Sequence, residues 1–367
     1  MAVKKSLYLK YRPLQLKDVV GQKYVVKTIE EASKQNKFVH AYLLSGNHGC
    51  GKTSTARILA TLMNCEDLKD GQICGECRAC KSIHQGAAMD VTELDGATKR
   101  KIEDIRDLID SAHYAPNELK RKIYIIDECH MLTKEATSAL LKILEEPPSY
   151  LTFILCTTEI KKILPTILSR CQRFNFTKLT STEIANRLAF IAEKEDINVE
   201  MEGLVSIAKM ARGSMRDAIG YLDQVATVAA NKKITAKGIN AYFGMVDRKA
   251  ILDILKAIMG GNIPIILDQV NDMIMASADI NGILYEISEA FRNAMVLKAQ
   301  EGDSRLVDLP DCEILELKKI SEKLKMGQLL KLARLFSDVE KKINFNINER
   351  WIMEATLINC VAVLRQQ

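Results

Sequence analysis

At 367 residues and 41.1 kDa the chain is too long for one small core, so two or three domains are expected. Hydrophobic residues at 47% and charged residues at 27% describe an ordinary soluble protein. The net charge of +5 permits nucleic-acid binding through a local patch without demanding it. Met1-Ala2-Val3-Lys4-Lys5 lacks the apolar run of a signal peptide, and no later segment is long and apolar enough to span a bilayer. A cytoplasmic location, away from membranes, is therefore expected. Ten cysteines in a cytosolic chain point to metal or free thiols rather than disulfides.

Residues 1–178 alternate short apolar runs with helical patterns. Strands are predicted at Tyr42–Ser45, Met89–Leu94, Ile123–Ile126, Leu151–Cys156 and Arg173–Phe176, with amphipathic stretches near 22–35, 53–64, 101–113 and 133–146. Such alternation implies a parallel sheet covered by helices on both faces. After the first strand comes Gly46-Asn47-His48-Gly49-Cys50-Gly51-Lys52-Thr53, then Ser54, which fits the phosphate-loop pattern G-x-x-x-x-G-K-[ST]. Strand, glycine-rich turn and helix aim backbone N–H groups and a positive helix end at phosphates. Lys52 would reach the β- and γ-phosphates of a nucleotide, and the Thr53 hydroxyl would ligate Mg²⁺.

Next along the chain lie Cys65, Cys74, Cys77 and Cys80, two overlapping C-x2-C units plus a fourth cysteine within reach. Four thiolates can enclose a tetrahedral zinc with no open position, so the site would be structural. An iron–sulfur cluster is the rival, but no Cys-Pro follows three residues later and the fourth thiol lies upstream. His84 is near enough to substitute as a ligand, although an exposed helix face suits it better. The remaining cysteines have no ligand spacing and are expected to pack as small apolar residues.

Ile123-Tyr124-Ile125-Ile126 then runs into Asp127-Glu128, two carboxylates at the same sheet edge as the phosphate loop. Asp127 would hold Mg²⁺, directly or through water, and Glu128 would orient and polarise an attacking water. An acidic turn after a strand is the bland alternative. The strand at Leu151–Cys156 leads into Thr157-Thr158, followed by Ser169-Arg170-Cys171 and, later, Gly213-Ser214-Met215-Arg216. Taken singly, each arginine reads as a surface residue. Beyond residue 178 strand-like runs stop, only Pro264 and Pro310 of the seven prolines remain, and helical periodicity continues to Gln367.

Tyr11-Arg12-Pro13, Asp18-Val19-Val20-Gly21-Gln22, the phosphate loop, the four cysteines, Asp127-Glu128-Cys129-His130-Met131-Leu132, Leu141-Lys142-x-Leu144-Glu145-Glu146-Pro147-Pro148 and Ser169-Arg170-Cys171 occur in one order. In that order they resemble the gamma/tau subunits of bacterial DNA polymerase III, AAA+ ATPases that drive the sliding-clamp loader. Specific motifs carry the resemblance over most of 1–245; beyond, only length and helical texture do. It implies an α/β fold followed by all-α: a P-loop AAA+ domain at 1–178 with a small zinc module at 65–80, a helical lid at 179–243 and a helical collar for oligomerisation at 244–367.

The resemblance also implies roles. Thr158 would watch the γ-phosphate as sensor 1, and Arg170 would reach into the neighbouring subunit's site as a finger. Arg216 would be the sensor-2 arginine, acting on the nucleotide of its own chain. Arg12, Pro13, Val19 and Val20 would line the adenine and ribose pocket. ATP with Mg²⁺ would be the cofactor. The implied partners are delta, delta-prime and further gamma/tau copies, the sliding clamp and primer–template DNA. Lys101, Arg106, Thr133 and Lys142 match DNA-phosphate positions, and a solvated basic face is the alternative. DNA binding through phosphates would be independent of sequence and strongly salt-dependent.

Three positions depart from the pattern. His48 stands where the family usually has arginine, and Cys129 replaces a small aliphatic residue. Thr-Thr-Glu-Ile-Lys-Lys-Ile-Leu puts Pro165 one place late, which implies a different path for the loop before Arg170. A delta-prime-like stator, which typically lacks a working phosphate loop, and another AAA+ DNA remodeller are the alternative functions. Trp351 would anchor a collar interface or fill a core.

Overall fold

The computed structural model describes residues 6–99, 101–229, 233–244, 248–275, 278–301, 306, 307, 309, 311–343 and 348–365, the side chains of 241, 311, 312 and 340–343 excepted. The chain divides into two compact units, Met1–Thr235 and Ala236–Gln367. The elements of the first, in order, are α1 (Leu7–Lys10), α2 (Lys23–Lys34), β1 (Ala41–Gly46), α3 (Lys52–Asn64), α4 (Arg78–Gln85), β2 (Val91–Asp95), α5 (Ile102–Ala112), β3 (Lys122–Asp127), α6 (Lys134–Glu145), β4 (Leu151–Thr157), α7 (Pro165–Leu168) and β5 (Gln172–Phe176). Three longer helices follow: α8 (Ser181–Lys194), α9 (Met201–Met210) and α10 (Met215–Ala229).

The five strands form one parallel sheet in the order β2-β3-β4-β1-β5. Burial follows that order. Every residue of β4 is buried, as is nearly all of β1, whereas the edge strands β2 and β5 expose alternate residues. Strands covered on both faces need apolar side chains on both, so the central runs read as continuous hydrophobic segments. The predicted start of β2 at Met89 is two residues early. Met89 is exposed, and the strand begins at Val91.

Helix α3 sits beneath the sheet with Ile58, Leu59, Leu62 and even Thr61 and Asn64 buried, against strands β1, β3 and β4. A helix buried nearly all round shows little amphipathic contrast, which suits the central element that carries the phosphate loop. On the opposite face, α5 and α6 pack together over Tyr124, Phe153 and Leu155. The lid helices are joined to the sheet by a short strap. Buried Gln22 accepts the Thr177 N–H at 3.0 Å and donates to the Thr177 carbonyl at 2.9 Å. Thr180 and Glu183 then form a capping box that starts α8.

Asp90 stabilises the approach to β2 and β3. Its buried carboxylate accepts the backbone N–H groups of Asn117, Glu118 and Leu119 at 2.8–3.0 Å. Burial alone would raise its pKa, but the three donors outweigh it and hold Asp90 below the usual carboxylate range. A depressed folded pKa gives stability that is complete above the unfolded value of about 3.9 and is lost as pH falls through the folded one. We therefore expect Asp90→Ala to lower unfolding free energy at pH 7 by about 3 kcal/mol, with a smaller difference from wild type near pH 2, in denaturant titrations.

The regular elements among the described residues of the second unit are all helices: α11 (Ala236–Tyr242), α12 (Arg248–Gly260), α13 (Ile263–Met275), α14 (Ile280–Ala299), α15 (Asp311–Lys323), α16 (Met326–Ile343) and α17 (Glu349–Arg365). Ile254, Leu255, Ile266, Ile287, Phe291, Leu332 and Leu357 share its core. Gly213-Ser214 falls between α9 and α10, and Gly261 follows Gly260, the last residue of α12. Trp351 is 63% exposed, so it does not fill a core. No described helix is long and apolar enough to cross a membrane.

Candidate nucleotide site and cysteine cluster

The glycine-rich turn leaves the carboxyl end of β1 and enters α3 through Gly51, whose φ of +102° lies in the region that favours glycine. Gly49 has φ +68°, and a Cβ there would come within 2.0 Å of Ser214 Oγ. No larger residue fits where the lid approaches this closely. The Met215 N–H donates to the Gly49 carbonyl at 3.0 Å, so α10 touches the phosphate loop directly.

Lys52 is only 5% exposed, and its ammonium donates to the Gly46 and Asn47 carbonyls at 2.9 and 2.8 Å. The Thr53 hydroxyl donates to Asp127 Oδ2 at 2.7 Å, which brings the end of β3 against the first turn of α3. Hydroxyl and carboxylate oxygens at one point are the donor set a hard cation such as Mg²⁺ takes, so these residues fit the expected ion. Glu128 follows with φ +46°, a left-handed backbone for a non-glycine residue. The Thr158 hydroxyl and N–H donate to Glu128 Oε2 at 2.9 and 3.2 Å. His48 Nδ1 lies 3.9 Å from Glu128 Oε1.

These groups border a cleft of about 350 Å³, the scale of a small-molecule site. His48 to Ser54, Asp127 and Glu128 line one side, and Arg12, Pro13, Val19 and Val20 another. Arg216 lines it from the lid, its guanidinium 5.2 Å from the Tyr8 ring centre. Burial first, then the neighbouring Arg57, lowers the Arg12 pKa. An anion in the cleft would give this partly desolvated guanidinium a partner of opposite charge. Gly46 and Asn47 meet Lys52 rather than line the cleft.

Arg170 is not among the lining residues. It follows α7, with Nη2 2.5 Å from Glu145 Oε1 and Nη1 donating to the Thr166 carbonyl at 2.8 Å. The loop before it forms a single 3-10 turn at Ile160–Lys162, and Pro165 takes the first turn of α7, where its missing N–H costs nothing. Lys101 and Arg106 are exposed at the start and on the surface of α5. Thr133 caps α6, accepting the Ala136 N–H at 3.2 Å, and Lys142 is exposed on the same helix. All four thus sit on two adjacent helices.

Sequence reasoning did not single out Tyr8, Glu93 or Arg187, which also line the cleft. Glu93 pairs with Arg57 at 2.6 Å on the face of β2 turned toward α3. Alternation in β2 puts Glu93 on the face opposite buried Leu94, but nothing in the sequence says that this face meets α3.

The sulfurs of Cys65, Cys74, Cys77 and Cys80 all lie within 4.8 Å of one another, with Cys65–Cys74 at 3.6 Å and Cys74–Cys80 at 3.8 Å. Thiolates about 2.3 Å from a tetrahedral zinc are separated by about 3.8 Å, so the cluster fits that ion. The Cys77 and Glu76 backbone N–H groups pull the Cys74 thiol down to about 6, into the range where it is a ready ligand. His84 is half-buried rather than exposed and stands outside the four-sulfur group. Cys50, Cys129, Cys156 and Cys360 are buried with raised thiol pKa values, as small apolar residues would be. Cys171 is half-buried, and the Cys312 side chain lies outside the described residues.

Together the parallel sheet, the phosphate loop, the acidic pair at the same carboxyl edge of the sheet and the helical lid define an ATPase module of the AAA+ class. The family description "DNA polymerase III, delta subunit" matches residues 21–180, "DNA polymerase III clamp loader subunit, ATPase lid domain" matches 183–231, and "DNA polymerase III subunits gamma and tau domain III" matches 234–366. The gamma subunit of Buchnera aphidicola is 32% identical over 97% of this chain and 98% of its own length. The tau subunit of Bacillus subtilis is 35% identical over 96% of this chain and 62% of its own. The gamma/tau subunit of Mycoplasma genitalium is 42% identical over 70% of this chain and 43% of its own. The chain belongs to the gamma/tau family of DNA polymerase III subunits. It spans less than two thirds of the length of the Bacillus and Mycoplasma relatives. Among solved structures, a Thermotoga maritima RuvB Holliday junction branch migration motor overlaps 69% of this chain and 80% of its own, with TM-score 0.48 and 23% identity.

Proposed function

We propose that the chain is the ATP-hydrolysing motor subunit of a clamp loader, using ATP binding and DNA-stimulated hydrolysis to place a sliding clamp on primed DNA. The observation that supports this reading is the joining of Thr53 to Asp127 at 2.7 Å, with buried Lys52 and half-buried Glu128 beside them, the residues that hydrolysis would need. A stator would not need it. Lys52 would turn from its carbonyls to the phosphates, and Thr53 and Asp127 would hold Mg²⁺, which neutralises phosphate charge when bound. Glu128 would take the proton of the attacking water, with Thr158 reporting on the γ-phosphate beside it.

Arg216 would read the nucleotide in cis through the lid, and Arg170, turned away from its own cleft, would serve a neighbouring copy. We infer a nucleotide-binding domain at 1–178, a lid at 179–243 and an oligomerising collar at 244–367. Delta, delta-prime and further gamma/tau subunits are the partners this reading requires, in the cytoplasm, with phosphate contacts to primer–template DNA from Lys101, Arg106, Thr133 and Lys142. The test is clamp loading itself, followed as clamp retained on primed circular DNA by the assembled complex with ATP. Retention that needs ATP and this chain supports the reading; equal retention with Lys52→Ala in every copy contradicts it.

Structural zinc at Cys65, Cys74, Cys77 and Cys80 belongs to the same proposal. We expect stoichiometric zinc by elemental analysis and a Tm several degrees lower after chelation, because ligand binding to the folded state alone raises stability. A zinc-free preparation with an unchanged Tm contradicts it.

A further inference from the structure

The motif Asp127-Glu128-Cys129-His130 carries a histidine to which no role attaches so far. Its side chain is 6% exposed and stands between two carboxylates. Nδ1 lies 3.3 Å from Glu128 Oε2 and 3.1 Å from the Thr157 hydroxyl, and Nε2 lies 3.4 Å from Glu159 Oε1. Glu159 is in turn bonded to Lys162 at 2.7 Å, on the 3-10 turn that leads to α7 and Arg170. A buried histidine satisfied by local hydrogen bonds is the commonplace alternative. That alternative does not account for one ring facing a carboxylate at each nitrogen, one of them the acid at the mouth of the cleft.

We propose that His130 is a positioning residue for the Glu128 carboxylate, tying it to Glu159 on the segment before Arg170. This rests on the reading of Glu128 as general base. The geometry divides the two oxygens of that carboxylate. Oε2 faces the Thr158 hydroxyl, the Thr158 N–H and His130, so it is anchored. Oε1 faces His48 of the phosphate loop at 3.9 Å and is the oxygen left to take a proton from water. A glutamate on a left-handed residue, with freely turning side-chain bonds, keeps Oε1 on line only while Oε2 is held. With its proton on Nδ1, His130 supplies one side of that hold, and its far nitrogen comes to 3.4 Å from Glu159 on a different loop.

The experiment compares His130→Ala, His130→Asn and Glu128→Gln in the complete assembly with clamp and primed DNA, measuring kcat, KM, Tm and binding of a non-hydrolysable ATP analogue. Misplacement of a base by about 1 Å costs up to about 100-fold, so His130→Ala should lower kcat roughly ten- to a hundredfold with KM and analogue binding within about threefold of wild type. His130→Asn puts an amide near the former Nδ1 and should restore most of the lost kcat, although it cannot reach Glu159. If His130→Ala destabilises the chain, the asparagine variant decides. Wild-type kcat in His130→Ala with an inactive Glu128→Gln overturns the proposal and leaves the base reading standing. Parallel losses of kcat, analogue binding and Tm in both His130 variants reduce His130 to a structural residue and also overturn it. A fully active Glu128→Gln sinks the base reading instead, whatever the His130 variants do.

Discussion

Arg170→Ala in every motor copy should lower ATP hydrolysis by the assembled loader by about 10³-fold or more, the scale of an arginine that neutralises transition-state charge. Nucleotide binding by the isolated chain should be unaffected. The guanidinium is away from its own cleft and held by Glu145 and the Thr166 carbonyl, so its loss removes nothing from that site. Mixed assemblies locate the effect. One Arg170→Ala copy beside wild-type copies should silence the neighbour it faces and leave its own site active, read as loss of a single site in rapid-quench turnover. Silencing of the mutated copy's own site would place Arg170 in cis and remove assembly as the trigger.

Glu128→Gln should lower turnover by about 10²- to 10⁴-fold, the usual contribution of a positioned general base. ATP affinity should stay near wild type, because Lys52, Thr53 and Asp127 keep their places around the phosphate loop. The amide retains an oxygen for the Thr158 hydroxyl and N–H but cannot accept a proton from water at neutral pH. The variant should therefore trap ATP, visible as stoichiometric retained nucleotide after gel filtration. Loss of affinity in step with turnover would mean that Glu128 binds rather than activates.

The sheet was legible because strands buried on both faces must be apolar throughout: Leu43, Leu44, Ile125, Ile126, Phe153 and Ile154 announce themselves as runs. The edge strand β2 was placed two residues early, since one solvated face breaks that run and leaves only alternation. Strand order was not legible, because nothing local in β4 says that it lies between β1 and β3.

The site divides in the same way. Residues close in sequence, from Gly46 to Ser54 and Asp127 with Glu128, were readable because spacing along a turn or strand end fixes their geometry. The contacts that complete the site join distant segments: Thr158 to Glu128, Met215 to Gly49, Gln22 to Thr177. Those depend on which element packs against which. Arg216 needed the resemblance to be noticed at all, since nothing near Gly213-Ser214 says that α10 begins against the phosphate loop.

Hydrolysis at Glu128 should fire only in the assembled complex, and steady-state ATP turnover reads this out. The chain would be assayed alone, with its loader partners, and with clamp and primed DNA added, beside Arg170→Ala. Weak activity alone, large stimulation in the full assembly and loss of that stimulation in the variant are the expected results. Flat activity in an assembly verified as complete would rule out a motor and make the chain a stator.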